Sequence, residues 1–318
     1  MKKIKNATGD IWIHSGGFCF HSGNLPPDYD WQSGDFHTQS LPWPAYPANS
    51  ANPISGELNG RSIYVLDDTP LFFGETDGIA EVFGIRELNV SGGTLCARSV
   101  RAKSGLFIAP GCTVRVGCEI SSGGIIECYG GDISAASIDA RQIRFDSAGG
   151  PLCVSIQSSV VTERYEQHGG NVTIGGGLFS GADSAAVISV NGDYAYHNPA
   201  ALSVNGDIIS AGGIMIGKPG QNTRVTVLGN MRAERVISIS GGKTFIRGMI
   251  ESRTGDINVI GGIVNAGSLN AAGELAIGTA EDFYGLNSRI TVFIADKLHT
   301  KSPVRISGGA VYDGGNIA

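Results

Sequence analysis

The sequence predicts an all-β chain that folds as a single-stranded parallel β-helix, or solenoid. A repeat of about 19 residues and short apolar alternations indicate stacked strands with tight corners between them. Glycine accounts for 48 of the 318 residues, about twice its usual share, while charged residues make up only 16%. This composition favours many corners and argues against long helices.

The repeat is clearest in residues 92–150. Two copies begin at Gly93 and Gly131, so the offset is 38 residues, twice a unit of about 19. Each copy has glycine, an apolar residue, alanine, an apolar residue and alanine at the same spacing: Gly93, Leu95, Ala97, Val100 and Ala102, then Gly131, Ile133, Ala135, Ile138 and Ala140. An intermediate unit places Val114 and Val116 where Leu95 and Ala97 predict.

The length of the unit determines the architecture. Alternation over three to five residues is typical of a strand with one buried face, and Gly-Gly or Gly-Asp pairs mark turns. A unit of this size is too short for a strand–helix–strand crossover and cannot bury its own apolar face. It therefore stacks on copies of itself at roughly 4.8 Å per turn, and alanine suits a narrow interior.

Bulk properties bound the function. The net charge of −6 and the lack of a Lys/Arg cluster argue against a nucleic-acid partner. No apolar run is long enough for a membrane span, and the N-terminus lacks the apolar region of a secretory signal. The six cysteines have no zinc-ligand spacing. We expect reduced thiols, no metal, no cofactor and a cytoplasmic protein, or a virion component.

The N-terminal part divides into two segments. Residues 1–23 alternate like a first coil. Residues 24–60 are rich in proline and aromatic residues, which disfavours regular strands and predicts an ordered arm or lid. The arm would pack either on its own solenoid or on a neighbouring subunit, through Tyr29, Trp31, Phe36, Trp43 and Tyr46.

Residues 61–318 are predicted to form the β-helix, with roughly twelve to fourteen coils, fewer once loops are subtracted. Two stretches, 162–170 and 191–199, interrupt the alternation and are predicted to be loops. They carry the candidate ligand residues Arg164, Glu166, His168, Asp193, Tyr196 and His197. Carboxylates and histidines could bind or cleave a glycan. The alternative is that both are solvated loops, and no catalytic residue is assigned.

Two further patterns have structural interpretations. Gly-Asp-Ile recurs along the chain, and each aspartate is expected to accept hydrogen bonds from turn amides rather than to bind calcium. Cys112, Cys118 and Cys128 are expected to line adjacent coils as small buried residues.

The segment GGDISAASIDARQIRF, with weaker copies at GGTLCARSVRAKSGLFI and GGIVNAGSLNAAGELAI, resembles the repeats of bactofilins. The resemblance implies a right-handed β-helix that polymerises end to end without nucleotide. This chain differs from the compact family core in its larger number of predicted coils and its aromatic arm. LFIAPGCTVRVGCEI also resembles the hexapeptide repeats of left-handed β-helix acyltransferases, but over one segment only.

These observations predict a non-enzymatic structural protein. It would self-assemble into a homo-oligomer, filament or larger particle through the β-helix ends, the arm or both, because open strand edges favour strand addition. The alternative is a carbohydrate-binding or carbohydrate-cleaving β-helix, like a phage tailspike or an adhesin. A scaffold that docks another protein is also open.

Overall fold

A computed structural model describes residues 10–14, 17–21, 54–57, 60, 62–65, 70–181, 187–192, 198–278, 290–301, 304–306, 310–313 and 316–317. Within these ranges every regular element is a β-strand. The strands form a parallel β-solenoid of about 11 turns, which confirms the predicted fold class.

The strands in chain order are β1 Asp10–His14, β2 Gly17–His21, β3 Ile54–Glu57, β4 Ser62–Val65, β5 Pro70–Asp77, β6 Ile79–Gly84, β7 Glu87–Ala102, β8 Gly105–Ile108, β9 Thr113–Val116, β10 Glu119–Cys128, β11 Gly131–Ala135, β12 Ser137–Asp146, β13 Leu152–Ile156, β14 Val160–His168, β15 Gly170–Ile174 and β16 Leu178–Ser180. They continue as β17 Val187–Asn191, β18 Ala200–Val204, β19 Ile208–Ser210, β20 Gly213–Ile216, β21 Thr223–Val227, β22 Met231–Ala233, β23 Ile237–Ile239, β24 Lys243–Ser252, β25 Ile257–Val259, β26 Gly262–Ala271, β27 Leu275–Ile277, β28 Ile290–Thr300, β29 Val304–Ile306, β30 Ala310–Asp313 and β31 Asn316–Ile317.

Each turn passes through three faces. In one turn, β9 lies on face I, the first half of β10 on face II and its second half on face III; β11 then returns to face I. Further on, β18, β19 and β20 occupy the same three faces in order. Strand β7 is long enough to run through all three faces by itself.

The pairing register confirms the repeat read from the sequence. Leu95 pairs with Val114 and Val114 with Ile133, a separation of 19 residues in each case. Elsewhere the turn length varies: Val172 pairs with Leu202, 30 residues on. Because the ladders stay parallel, extra residues are accommodated at the corners and the strands keep their register.

The core is a set of columns of inward side chains, one residue from each turn. Aliphatic residues dominate these columns, and the predicted inward alanines of the repeat are buried, at Ala97, Ala102, Ala135, Ala140, Ala266 and Ala271. Alternate positions on each strand are buried and exposed, as in β13 and β18. Burial of these columns is the main source of stability, since no turn could bury its apolar residues alone.

The Gly-Asp corners form hydrogen bonds between turns. Asp207 Oδ1 accepts the backbone N–H of Asn230 at 2.7 Å, and Asp256 Oδ1 accepts that of Glu274 at 2.7 Å. The aspartates therefore bind backbone amides as predicted, but those of the following turn. Glycine is required beside them, because a Cβ on Gly273 would lie within 3.0 Å of the carbonyl group of Gly255 and still closer to the Asp256 carboxylate.

Both ends of the solenoid carry an antiparallel pair. At the N-terminal end, β1 pairs in parallel with β4 and antiparallel with β2, so residues 1–23 contribute a hairpin and not the coil predicted from the sequence. At the C-terminal end, β30 pairs with β28 and antiparallel with β31. Strand β3 falls within the range predicted for the arm, yet it pairs in parallel with β5 as part of the solenoid.

The described cysteines are free thiols, but they are less uniformly buried than expected. Cys112 and Cys128 are buried in the core, whereas Cys118 and Cys153 are exposed and Cys96 is half-buried. The prediction of a buried stack is therefore confirmed for Cys112 and Cys128 and wrong for Cys118, which follows a glycine at a corner where the chain leaves the core column. Burial raises the pKa of both core thiols.

Candidate functional site

The first candidate site is an ionic cluster on face III. Its members are Glu127, Tyr129, Arg144, Asp146, Arg164, Glu166 and His168, from three successive turns. Arg144 lies between Glu127 and Glu166 because the three residues pair in register on β10, β12 and β14. The parallel ladder therefore brings together side chains that are about 20 residues apart in sequence.

Arg144 is the centre of the cluster. Its Nη2 atom lies 3.1 Å from Asp146 Oδ2, and its Nη1 atom lies 4.0 Å from Glu127 Oε1. Burial lowers the pKa of Arg144, but the hydrogen bond and charge of Asp146 outweigh this, and the pKa lies above its ordinary value. The Tyr129 hydroxyl donates to Glu127 Oε2 at 2.7 Å, which raises the pKa of Tyr129.

Glu166 connects the predicted candidate residues to this centre. Its Oε1 atom lies 2.5 Å from Arg164 Nη2, and its Oε2 atom lies 3.8 Å from His168 Nε2. The structure thus brings Arg164, Glu166 and His168 together on one surface, as the sequence suggested. Asp193, Tyr196 and His197 lie outside the described residues, as do Tyr29, Trp31, Phe36, Trp43 and Tyr46 of the predicted arm.

The prediction that residues 162–170 form a loop is wrong, because Val160–His168 is strand β14. Its outward residues are the candidates above, and its inward residues are Thr162, Tyr165 and Gln167. Tyr165 donates to Gln167 Oε1 at 3.1 Å, and Gln167 Nε2 donates to the carbonyl of Ala201 at 3.1 Å. These polar inward residues hid the alternation that normally identifies a strand.

Chemically, the cluster is a set of fixed charges. Each of its three carboxylates already contacts an arginine, whereas a glycosidase acid needs surroundings that hold a proton. His168, about one-third exposed, is the member best placed for proton transfer. The described residues contain no group of three or more His, Cys, Asp or Glu side chains that could hold a metal ion.

Sequence reasoning missed part of this cluster. Glu127, Tyr129, Arg144 and Asp146 were not singled out because they lie in regular repeats, where charged residues read as ordinary solvent-facing positions. The register of the repeat could have identified them, since Glu127, Arg144 and Glu166 occupy the same outward column.

The second candidate site is the C-terminal end of the solenoid. On face III one inward column runs through Ile216, Ile239, Val259, Ile277 and Ile306. Ile277 is 1% exposed, but Ile306, the last member, is 42% exposed. Within the described residues its strand, β29, pairs only with β27. A core column and a strand edge are therefore open at this end.

The N-terminal end differs. Ile54 in β3 and Ile63 in β4 are both at most 1% exposed, and β1 pairs against β4. The two ends of the solenoid are thus chemically unequal, with a covered core at one end and an exposed core column at the other.

Comparison with known proteins gave no match to a protein-family model, a curated protein or a solved structure. The resemblance to bactofilin repeats therefore stays a prediction. The described part of the chain also contains no helix that could cross a membrane.

Proposed function

We propose that this chain is a non-enzymatic structural subunit that self-assembles, through its C-terminal end and its N-terminal arm, into a filament or larger particle. The observation that carries the proposal is the open core column at Ile306, beside the unpaired edge of β29. Exposed strand edges favour pairing with another chain, and exposed core side chains favour burial.

The inequality of the ends bears on the geometry of assembly. Two C-terminal ends that meet would form an isologous, closed interface, whereas a C-terminal end that binds a different surface of the next copy would generate a filament. The covered core at Ile54 and Ile63 favours the C-terminal end as the adhesive one. In the filament, the arm of residues 24–60 would supply the second surface.

The test is the state of assembly across a concentration series, measured by light scattering and negative-stain electron microscopy. Covering the exposed part of Ile306 contributes roughly 1 kcal/mol, and a buried lysine in its place would oppose association by more than that. Ile306→Lys is expected to weaken association more than tenfold. Leu228→Lys is the matched control, because Leu228 is 45% exposed at a corner away from the end.

A separate variant tests the arm. Deletion of residues 24–53 removes the aromatic segment but leaves strand β3 intact. If the arm is intermolecular, this deletion will reduce particle size. A wild-type protein that stays monomeric at high concentration, with unchanged size in both variants, would contradict the proposal.

A second candidate function is binding or cleavage of carbohydrate on face III, and the ionic cluster favours it. Glu127 and Glu166 are two strands apart, roughly 9.5 Å by strand spacing. This separation lies near the upper end of the range for inverting glycosidases. Turnover or binding of an oligosaccharide that is lost in Glu166→Gln and kept in Glu163→Gln would support this function, since Glu163 is exposed outside the cluster. A glycan screen without binding would exclude it.

A further inference from the structure

A pocket of about 440 Å³ lies near the N-terminal end, on the opposite part of the molecule from the open core column. It is located at the corner between faces I and II in the first turns, and its wall includes Gly60, Gly78, Ile79, Arg98 and Arg115. Pockets of this volume accommodate small molecules of about the size of a sugar.

Two arginines give the pocket its charge. Arg115 is an outward residue of β9, and Arg98 is exposed at the corner of the preceding turn. Most other described arginines are in ion pairs, for example Arg101 with Glu81 and Arg144 with Asp146. Arg98 and Arg115 have no ion pair or side-chain hydrogen bond in the described part of the chain. Two unpaired guanidinium groups therefore face one pocket on a chain whose net charge is −6.

The glycines leave room for a ligand to reach the backbone. Gly60 and Gly78 have φ angles of 76° and 74°, and the Gly60 N–H donates to the Gly78 carbonyl at 2.5 Å. A side chain at Gly60 would meet no atom within 4 Å, so the space in front of it is open. Left-handed glycines at a corner permit close approach of a bound group to the main chain.

From this arrangement we infer that the pocket binds a small molecule through one anionic group, a phosphate or a carboxylate. Guanidinium groups bind both anions through paired, charge-assisted hydrogen bonds. Ile79 supplies an apolar contact for the body of the ligand. The site does not depend on the proposed assembly, because it lies at the other end of the molecule.

Binding is tested by calorimetry on the full chain with four probes: inorganic phosphate, glucose 6-phosphate, glucuronate and glucose. At least one anionic probe is expected to bind with a millimolar or lower Kd, and glucose is not. Arg98→Ala with Arg115→Ala is expected to weaken binding at least tenfold. Because both side chains are exposed and unpaired, circular dichroism of this variant will match the wild type.

The matched control is Arg224→Ala with Arg247→Ala, which removes the same charge from exposed positions outside the pocket. It is expected to change Kd by less than twofold. Binding of the phosphates alone identifies a phosphate site, and binding of glucuronate alone identifies a carboxylate site. Equal loss in both double variants, or no binding by any anionic probe, would overturn the inference.

Cys96 gives an independent readout because it lines the pocket and pairs in register with Arg115. A bound ligand is expected to slow maleimide labelling of Cys96 and to leave labelling of the exposed Cys153 unchanged. Unchanged labelling of Cys96 under saturating ligand would place the binding elsewhere.

Discussion

Gly273→Ala tests whether the Gly-Asp corners join successive turns as described. The new Cβ would occupy the space of the Asp256 carboxylate, which accepts the Glu274 N–H at 2.7 Å. The carboxylate must therefore move and lose a charge-assisted hydrogen bond, a loss of about 2 kcal/mol. The remaining contact with Gly255 at 3.0 Å adds about 1 kcal/mol. We expect the free energy of unfolding to fall by about 3 kcal/mol.

Asp256→Ala separates the two contributions. By itself it removes the acceptor for the Glu274 amide and is expected to cost about 2 kcal/mol. In the double variant the carboxylate is absent, so that only the contact with Gly255 is added and the total is about 3 kcal/mol. Independent effects would instead add to about 5 kcal/mol, so the expected coupling is about 2 kcal/mol.

The assay is urea unfolding followed by far-UV circular dichroism, with hydrogen exchange at the Glu274 amide as a local readout. Solenoids can unfold in parts, and the exchange measurement reports the corner itself. Gly181→Ala is the control, because the nearest atom to a Cβ there is 3.7 Å away. Additive single effects, or equal destabilisation by Gly181→Ala, would refute the reasoning.

Three further predictions concern the core. Burial raises the pKa of Cys128 above its ordinary value of 9.0, so the folded state keeps a proton that the unfolded state loses, and stability falls above about pH 9. Cys128→Ala is expected to reduce this alkaline slope by up to about 1.4 kcal/mol per pH unit in urea unfolding, and the exposed Cys153→Ala is not. Tyr165→Phe leaves the buried Gln167 Oε1 without its donor and is expected to cost about 1–2 kcal/mol in the same assay; an unchanged midpoint would contradict the bond. In native protein Cys118 is expected to react with a thiol reagent much faster than Cys128, and equal rates would contradict the burial described.

The sequence by itself determined the fold class. The 19-residue spacing from Gly93 to Gly131 indicated stacked turns, because so short a unit has no other way to bury its apolar residues. The same pattern located the inward alanines and the glycine corners. These features are local, since each depends on alternation or turn chemistry within a few residues.

Only the tertiary structure decided which distant residues meet. The approach of Arg144 to Glu127 and the alignment with Glu166 depend on register between turns of unequal length. Strand β14 was missed because Tyr165 and Gln167 satisfy each other inside the core, a contact that no local pattern encodes. The exposure of Ile306 likewise follows from its place at the end of the stack and not from its neighbours in sequence, which is why an ordinary strand residue becomes the proposed contact for assembly.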